Sequence, residues 1–267
     1  MSGSQRTRVR LAQNLFASET AARTLAAGAD LTPGDLVFDL GAGTGAVTAA
    51  LLAVGVRVVA VERDANLARK LRARFDGRPV TVVEADLRDV RFRPPFKVVS
   101  NPPFNVTAEL MRRLLTAAPA PDAAALVLQR EAAEKYGGVR LAAVSLQARP
   151  WFALDVTRPF SRRDFVPAPS VDVALLRITR KVTPDVAADH AAAWRGFVRY
   201  ALARPSPDAW RTFRGLISNL QWRRLSQDLA IAPHTLRADL TYPQWLALFR
   251  FVRQCAPAAK RRRFGGD

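Results

Sequence analysis

The chain has 267 residues, 49% of them hydrophobic, enough for one large core and a smaller second domain. Its 41 Lys and Arg against 23 Asp and Glu leave a formal charge of +18, which favours a polyanionic partner over a small neutral substrate. A single Cys excludes a disulfide framework and a cysteine-based zinc cluster.

The first strong element is the apolar, β-prone run Leu36-Val37-Phe38-Asp39-Leu40, followed directly by Gly41-Ala42-Gly43-Thr44-Gly45 and a helical pattern from Ala46. Strand, glycine turn and helix in that order predict a nucleotide-binding βα unit, where the missing side chains let a ligand approach the backbone. Gly41, Gly43 and Ala46 also satisfy the dinucleotide pattern, so a nicotinamide enzyme stands beside a methyltransferase at this point. The next strand, residues 56–61, ends in Glu62, where a carboxylate can hold ribose hydroxyls. A third strand, residues 80–83, leads into Glu84-Ala85-Asp86-Leu87 and places Asp86 at another strand end.

A fourth strand, residues 96–100, ends in Asn101-Pro102-Pro103-Phe104 before a helix from Thr107. The carboxyl ends of strands are where open α/β sheets bind ligands. The tetrapeptide offers an amide oxygen, a stiff prolyl backbone with its carbonyl, and an aromatic face. An exocyclic amine on a purine is a poor nucleophile because its lone pair is delocalised into the ring. Acceptors at Asn101 and the Pro102 carbonyl favour a more pyramidal nitrogen, and Phe104 stacks on the base. A dehydrogenase has no need of this corner, so the methyltransferase reading leads.

Beyond it come two β-like runs, 151–156 and 171–179, expected as an antiparallel edge on a mainly parallel sheet. The loop between them carries Arg158, Arg162, Arg163 and Phe165. From Pro184 the pattern is helical: 187–202, 207–220, 222–229 and 242–255, with Asp208 and Thr241 near helix starts. Trp194, Phe197, Phe213, Leu216, Trp245, Leu248 and Phe249 form the expected helical core. Arg195, Arg199, Arg211, Arg214, Arg223 and Arg224 form a candidate phosphate-facing surface. His190 and His234 lack ligand-type neighbours, and Lys260-Arg261-Arg262-Arg263 falls in a tail expected to be disordered from about residue 256. The domain boundary is expected at residue 181: a methyltransferase domain over 1–181 and a helical RNA-binding domain over 182–267.

Five ordered motifs together resemble the ribosomal RNA adenine N6-methyltransferases, in particular the Erm macrolide-resistance methylases; the small-subunit rRNA adenine dimethyltransferases are close relatives. They are Gln13-Asn14-Leu15-Phe16, the Gly41 turn with Glu62, Asp86, Asn101-Pro102-Pro103-Phe104-Asn105, and Phe165-x-Pro167-x-Pro169-x-Val171-Asp172. This chain has Pro102 where the family commonly has Ile or Leu, and Asp39-Leu40-Gly41 where it has Glu-Ile-Gly.

The resemblance implies an α/β, Rossmann-like S-adenosyl-L-methionine-dependent methyltransferase domain with a small C-terminal all-helical domain. It implies that Gln13, Asn14 and Phe16 close over the cofactor and that Gly41 and Gly43 pass its amino-acid part. Glu62 then holds the ribose, Asp86 with Leu87 holds the adenine, Arg63 belongs to the cofactor-binding set, and Asn101 borders both ligands. Asn101, Pro102 and Phe104 act on the target base, with Asn105, Phe165, Arg162 and Arg163 around it and Phe165 facing the adenine. The implied partner is rRNA, preferably 23S and before the ribosome is fully assembled, met by a monomer. No membrane and no metal are expected: the N-terminal Ser2–Arg10 lacks an apolar centre and no apolar run can span a bilayer, which predicts a cytoplasmic protein. The competing functions are the small-subunit dimethyltransferase and a non-catalytic RNA-binding protein of the same fold.

Overall fold

Runs rich in Val, Ala and Leu, too apolar to face water on either side, become the interior strands of a parallel sheet. The computed structural model describes residues 15–116, 118–138 and 142–264. Gln13, Asn14 and the side chain of Arg158 lie outside the described residues. The chain divides into two units, one formed by Met1–Gly137 with Ala153–Arg180 and the other by Gly138–Phe152 with Lys181–Asp267.

The first unit holds β1 (Leu15–Phe16), α1 (Glu19–Ala26), β2 (Leu36–Leu40), α2 (Ala46–Leu52), β3 (Arg57–Glu62), α3 (Ala65–Arg74), β4 (Val80–Glu84), β5 (Lys97–Ser100), α4 (Thr107–Thr116), β6 (Ala123–Gln129), α5 (Arg130–Gly137), β7 (Phe152–Phe160), β8 (Phe165–Val166) and β9 (Val173–Arg180). Seven strands form one sheet in the order β4-β3-β2-β5-β6-β9-β7, and β1 pairs with β8 apart from it. β2 pairs in parallel with β3 and with β5, so the chain order reverses direction between β2 and β5. That reversal opens a crevice outside the carboxyl ends of the two strands, the usual ligand position in such sheets. The expected fold class is the one observed.

The expected antiparallel edge is present. β9 runs antiparallel to β6, from Ala123↔Thr179 to Gln129↔Val173, and lies between β6 and β7, so β7 is the outer strand. The reason is apolarity: Val173, Ala174, Leu175, Leu176 and Ile178 are all buried, which an inner strand satisfies and an edge does not.

The second unit contains α6 (Ala143–Ala148), α7 (Ala191–Leu202), α8 (Ala209–Phe213), α9 (Asn219–Asp228), α10 (Tyr242–Cys255) and α11 (Ala258–Arg261). Every residue of the expected helical core is buried, and its rings interlock: Phe197 stacks on Phe213 at 5.4 Å, and Trp194 meets Phe249 edge-on at 5.2 Å. Asp208 caps α8 by accepting from the Arg211 N–H at 2.8 Å, and Thr241 caps α10. The helix expected over 207–220 stops at Phe213 because Ser218 starts a new one. Its hydroxyl accepts from Gln221 N–H while the Gln221 side chain accepts from Ser218 N–H, a reciprocal cap. Among the described residues, no helix is long and apolar enough to cross a membrane.

Two expectations about this unit need correction. Residues 142–151 do not go with the sheet: Leu146 is in the helical core, and the Gln147 carbonyl accepts from the Trp194 indole N–H at 3.0 Å. Over the described residues 257–264, the basic segment is not a disordered tail. It forms α11 and a further turn over Arg262–Phe264, and Phe264, 4% exposed, meets Phe197 edge-on. Gly196 permits this, since a Cβ there would lie 1.7 Å from the Phe264 carbonyl oxygen. The charges face outward while one aromatic ring is buried. Phe264→Ala should therefore cost about 3 kcal/mol of stability, typical of a buried Phe; denaturant unfolding of the full chain checks it, and an unchanged midpoint would contradict the packing.

Candidate active site

β2 and β5 are parallel neighbours, so the segments leaving their carboxyl ends meet at the crevice. Ser100, fully buried at the end of β5, donates its hydroxyl to the Leu40 carbonyl at 2.5 Å and ties the two ends together. The glycine turn starts at the next residue, and a Cβ placed on Gly41 would lie 3.4 Å from Pro103 Cδ. The Asn101–Phe104 corner and the Gly41 turn, separated by about 60 positions in sequence, are in van der Waals range. Gly41 has φ +83° and Gly43 φ +57°, and a Cβ on Gly43 would come within 2.9 Å of Leu15 Cδ2. Both therefore favour glycine, for conformation and for room.

Glu62 is buried at the end of β3. One of its oxygens accepts from the Gly43 N–H at 2.8 Å and the other from the Asp64 N–H at 2.8 Å. Each carboxylate oxygen keeps a second acceptor site. Asp86 sits just beyond β4, held by Arg88 through 2.9 and 2.7 Å contacts and by Arg63 at 3.3 Å. The Arg88 hydrogen bonds are the main cause that holds its carboxyl below the usual range, so Asp86 is a fully ionised acceptor. Leu87 is buried, and its carbonyl accepts from the Arg113 guanidinium, which also bonds to the Val90 carbonyl.

Asn101 is half-buried, Pro102 buried, Phe104 half-buried against the core and Asn105 exposed. The Pro103 carbonyl accepts from Val106 N–H at 3.1 Å, which closes the one-turn helix Phe104–Val106. The Pro102 carbonyl accepts no hydrogen bond among the described residues. Arg162 pairs with Asp172 at 3.1 Å, both exposed, and Arg163 is exposed beside it.

The expectation that Phe165 faces a bound base does not match its environment. It is 2% exposed and stacks on Phe16 at 5.1 Å, with Phe160 edge-on at 6.0 Å. Phe16 and Phe165 are also register partners in the β1–β8 ladder. These rings fasten the arm that precedes α1, and Leu15 on that arm lies against the glycine turn. The reciprocal ring packing has no local sequence signal, because Phe16 and Phe165 are far apart in the chain.

Sequence reasoning also passed over Asp39, Arg88 and Arg113 as site residues. Asp39 is completely buried in β2, where its Oδ2 accepts from the Thr48 hydroxyl at 2.7 Å and its Oδ1 has no partner among the described residues. Burial, with Glu62 nearby, pushes its carboxyl up to about 7. An acidic residue inside an apolar run was the available signal. The donor set fits a cationic adenosyl cofactor: glycines leave room, Glu62 and Asp86 can accept from hydroxyls and an amine, and a positive charge would relieve the Asp39–Glu62 repulsion.

A glycine turn, acidic strand ends and an Asn-Pro-Pro-Phe corner on this sheet define the Rossmann-like methyltransferase class. The sequence profile described as "Ribosomal RNA adenine dimethylase" matches residues 4–254, and the chain belongs to that family. It is 30% identical over 246 residues to an rRNA adenine N-6-methyltransferase of Bacillus licheniformis, covering 89% of this chain and 86% of the relative. It is also 30% identical over 263 residues to ribosomal RNA small subunit methyltransferase A of Thermosynechococcus vestitus, covering 93% and 98%. Among solved structures, the 23S rRNA methyltransferase ErmE superposes with a TM-score of 0.83 at 25% identity, covering 90% of this chain and 99% of ErmE. The protein is an S-adenosyl-L-methionine-dependent rRNA adenine N6-methyltransferase.

The raised Asp39 carboxyl has a measurable consequence. Between the ordinary carboxylate range and about 7, the folded protein holds a proton that the unfolded chain has released. Stability without cofactor should therefore fall as pH rises through that window. Melting temperature followed across this pH range should show the slope in the wild type and a flatter profile in Asp39→Asn; parallel profiles would contradict it.

Proposed function

We propose that this enzyme methylates N6 of one adenine in 23S rRNA and so protects the ribosome from macrolide, lincosamide and streptogramin B antibiotics. The single observation that carries the chemistry is the meeting of Asn101–Phe104 with the Gly41 turn at the β2–β5 reversal. The likeness to ErmE along nearly its whole length supports the large-subunit target. The small-subunit enzyme is the second reading, favoured by the full-length match to ribosomal RNA small subunit methyltransferase A. The protein acts as a cytoplasmic monomer on RNA before assembly completes.

Each role comes from a position. The turn at Gly41 and Gly43 admits the amino-acid part of the cofactor, and Phe16 lies on the arm that precedes α1; Gln13 and Asn14 keep the cofactor-closing role that the family resemblance implies. Glu62 accepts from the ribose hydroxyls, aided by the Arg63 charge, and ionised Asp86 beside Leu87 accepts from the adenine amine. S-adenosylmethionine, when bound there, would supply the electrophilic sulfonium methyl group that is transferred to N6. The target adenine leaves its stack, as bases do for enzymes that act on them. Asn101 and the Pro102 carbonyl accept from its amine and turn the nitrogen lone pair toward the donor, while Phe104 stacks on the ring. The exposed Asn105, Arg162 and Arg163 contact the flanking RNA. Positioning in a dry site carries most of the acceleration, and the methylated nitrogen loses its proton to water.

Asn101→Ala should lower turnover at least about 100-fold, the scale of losing one transition-state hydrogen bond, while cofactor affinity falls far less. Calorimetric cofactor titration beside a tritium-transfer assay reads both; full turnover would remove Asn101 from the site. Phe104→Ala should be severe and Phe104→Tyr mild, since stacking on a base is worth about 1–3 kcal/mol and survives in tyrosine. Primer extension over both rRNAs, after expression in a methylation-free host, identifies the target. A stop in 23S rRNA is expected, and a stop in 16S rRNA alone would transfer the enzyme to the second reading.

A further inference from the structure

The second unit carries a cleft of about 440 Å³ lined by Tyr200, Arg204, Pro205, Ser206, Arg211, Thr212, Arg214, Gly215 and Arg263. Four of these are arginines, Arg204 just past α7, Arg211 in α8, Arg214 at its C-terminal cap and Arg263 in the C-terminal turn, and no carboxylate is among them. None of the four forms an ion pair with a described residue. Other arginines of this chain do find acids: Arg88 is clasped by Asp86, Arg112 by Glu109 and Arg130 by Glu134. Like charges gathered without a counter-charge repel one another, and a bound anion removes that cost.

The walls are arranged to hold such an anion. Arg204 lies over the Tyr200 ring at 4.0 Å, which steadies the guanidinium without using its N–H groups. The Arg263 guanidinium reaches the Gly215 carbonyl at 3.4 Å, so the buried Phe264 next to it anchors a charge at the rim. Gly215 forms part of the floor: a Cβ there would lie 2.8 Å from the Tyr200 hydroxyl and 3.6 Å from the Arg263 Nη1. That hydroxyl has no hydrogen-bond partner among the described residues and is a donor in waiting. Thr212 is already engaged, donating to the Asp208 carbonyl at 2.8 Å.

We infer that this cleft is a phosphodiester-binding subsite that holds the RNA backbone. Guanidinium forks pair with phosphate oxygens in two-point contacts, and the volume suits one nucleotide's phosphate and ribose. A strand rather than a free nucleotide is favoured by the open basic surroundings, where Arg195, Arg199, Arg223 and Arg224 are also exposed. The inference rests on RNA being the substrate and assigns this unit's grip to one place instead of a diffuse positive face.

Fluorescence anisotropy with a transcribed large-subunit rRNA fragment, across a range of KCl, tests it. Arg211→Glu with Arg214→Glu changes two exposed positions in the cleft, and Arg69→Glu with Lys70→Glu makes the same charge change at two exposed positions of α3, outside the second unit. The cleft pair should lose at least about tenfold in affinity and flatten the salt slope by roughly one to two, while the control pair loses much less. Gly215→Ala keeps every charge but fills the floor, and should also weaken binding several-fold. Cofactor affinity shows that each variant is folded; should the cleft pair fail to fold, Gly215→Ala against wild type decides. Equal losses in both pairs, or wild-type affinity in Gly215→Ala, would overturn the subsite. A wild type that binds through these arginines yet transfers no labelled methyl group to 23S rRNA would defeat the methylation target and leave the cleft standing.

Discussion

Ser100 donating to the Leu40 carbonyl is a small contact on which the catalytic geometry depends. It locks the end of β5 to the end of β2, where the chain order of the sheet reverses. Each strand delivers a different part of the proposed site: the glycine turn from one, the amide, proline carbonyl and phenyl ring from the other. Parallel pairing of the two strands sets their ends level, and the crevice between them exists because the crossovers lead away in opposite directions. The Pro103 ring within reach of Gly41 shows how little slack the arrangement has.

The charge distribution is divided by task. A chain with a formal charge of +18 keeps acids at its carboxyl strand ends, with Asp39 and Glu62 buried together and Asp86 clasped by Arg88 and Arg63. Burial above all, with the Glu62 charge adding to it, makes an ionised Asp39 unfavourable and raises its carboxyl. Such tension is stored where a positive ligand can release it. The helical unit shows the opposite arrangement, with arginines left without acids, and there an anion is the natural complement. A sulfonium donor and a polyphosphate acceptor strand ask for these two environments.

Aromatic packing supports both. In the first unit Phe16, Phe160 and Phe165 join the short β1–β8 ladder and hold Leu15 over the glycine turn. In the second, Phe264 inserted beside Phe197 and Gly196 turns a basic segment into a fixed wall carrying Arg263. Each case uses one buried ring to position polar groups several residues away.

Local order decides what could be read from the amino acids alone. The strand–glycine–helix unit, the acidic residues after β3 and β4, the Asn-Pro-Pro-Phe corner and the aromatic positions of the helical core are continuous in sequence, and periodicity and turn chemistry mark them directly. The folded chain alone settled what depends on distant partners. Phe165 proved enclosed because Phe16 pairs with it. β9 went inside β7 because its apolar side chains had to be covered. Residues 142–151 joined the helices because Leu146 and the Gln147 carbonyl find α7, and Phe264 made a basic tail into structure. Burial and pairing are properties of two segments at once, and no single stretch of chain carries them.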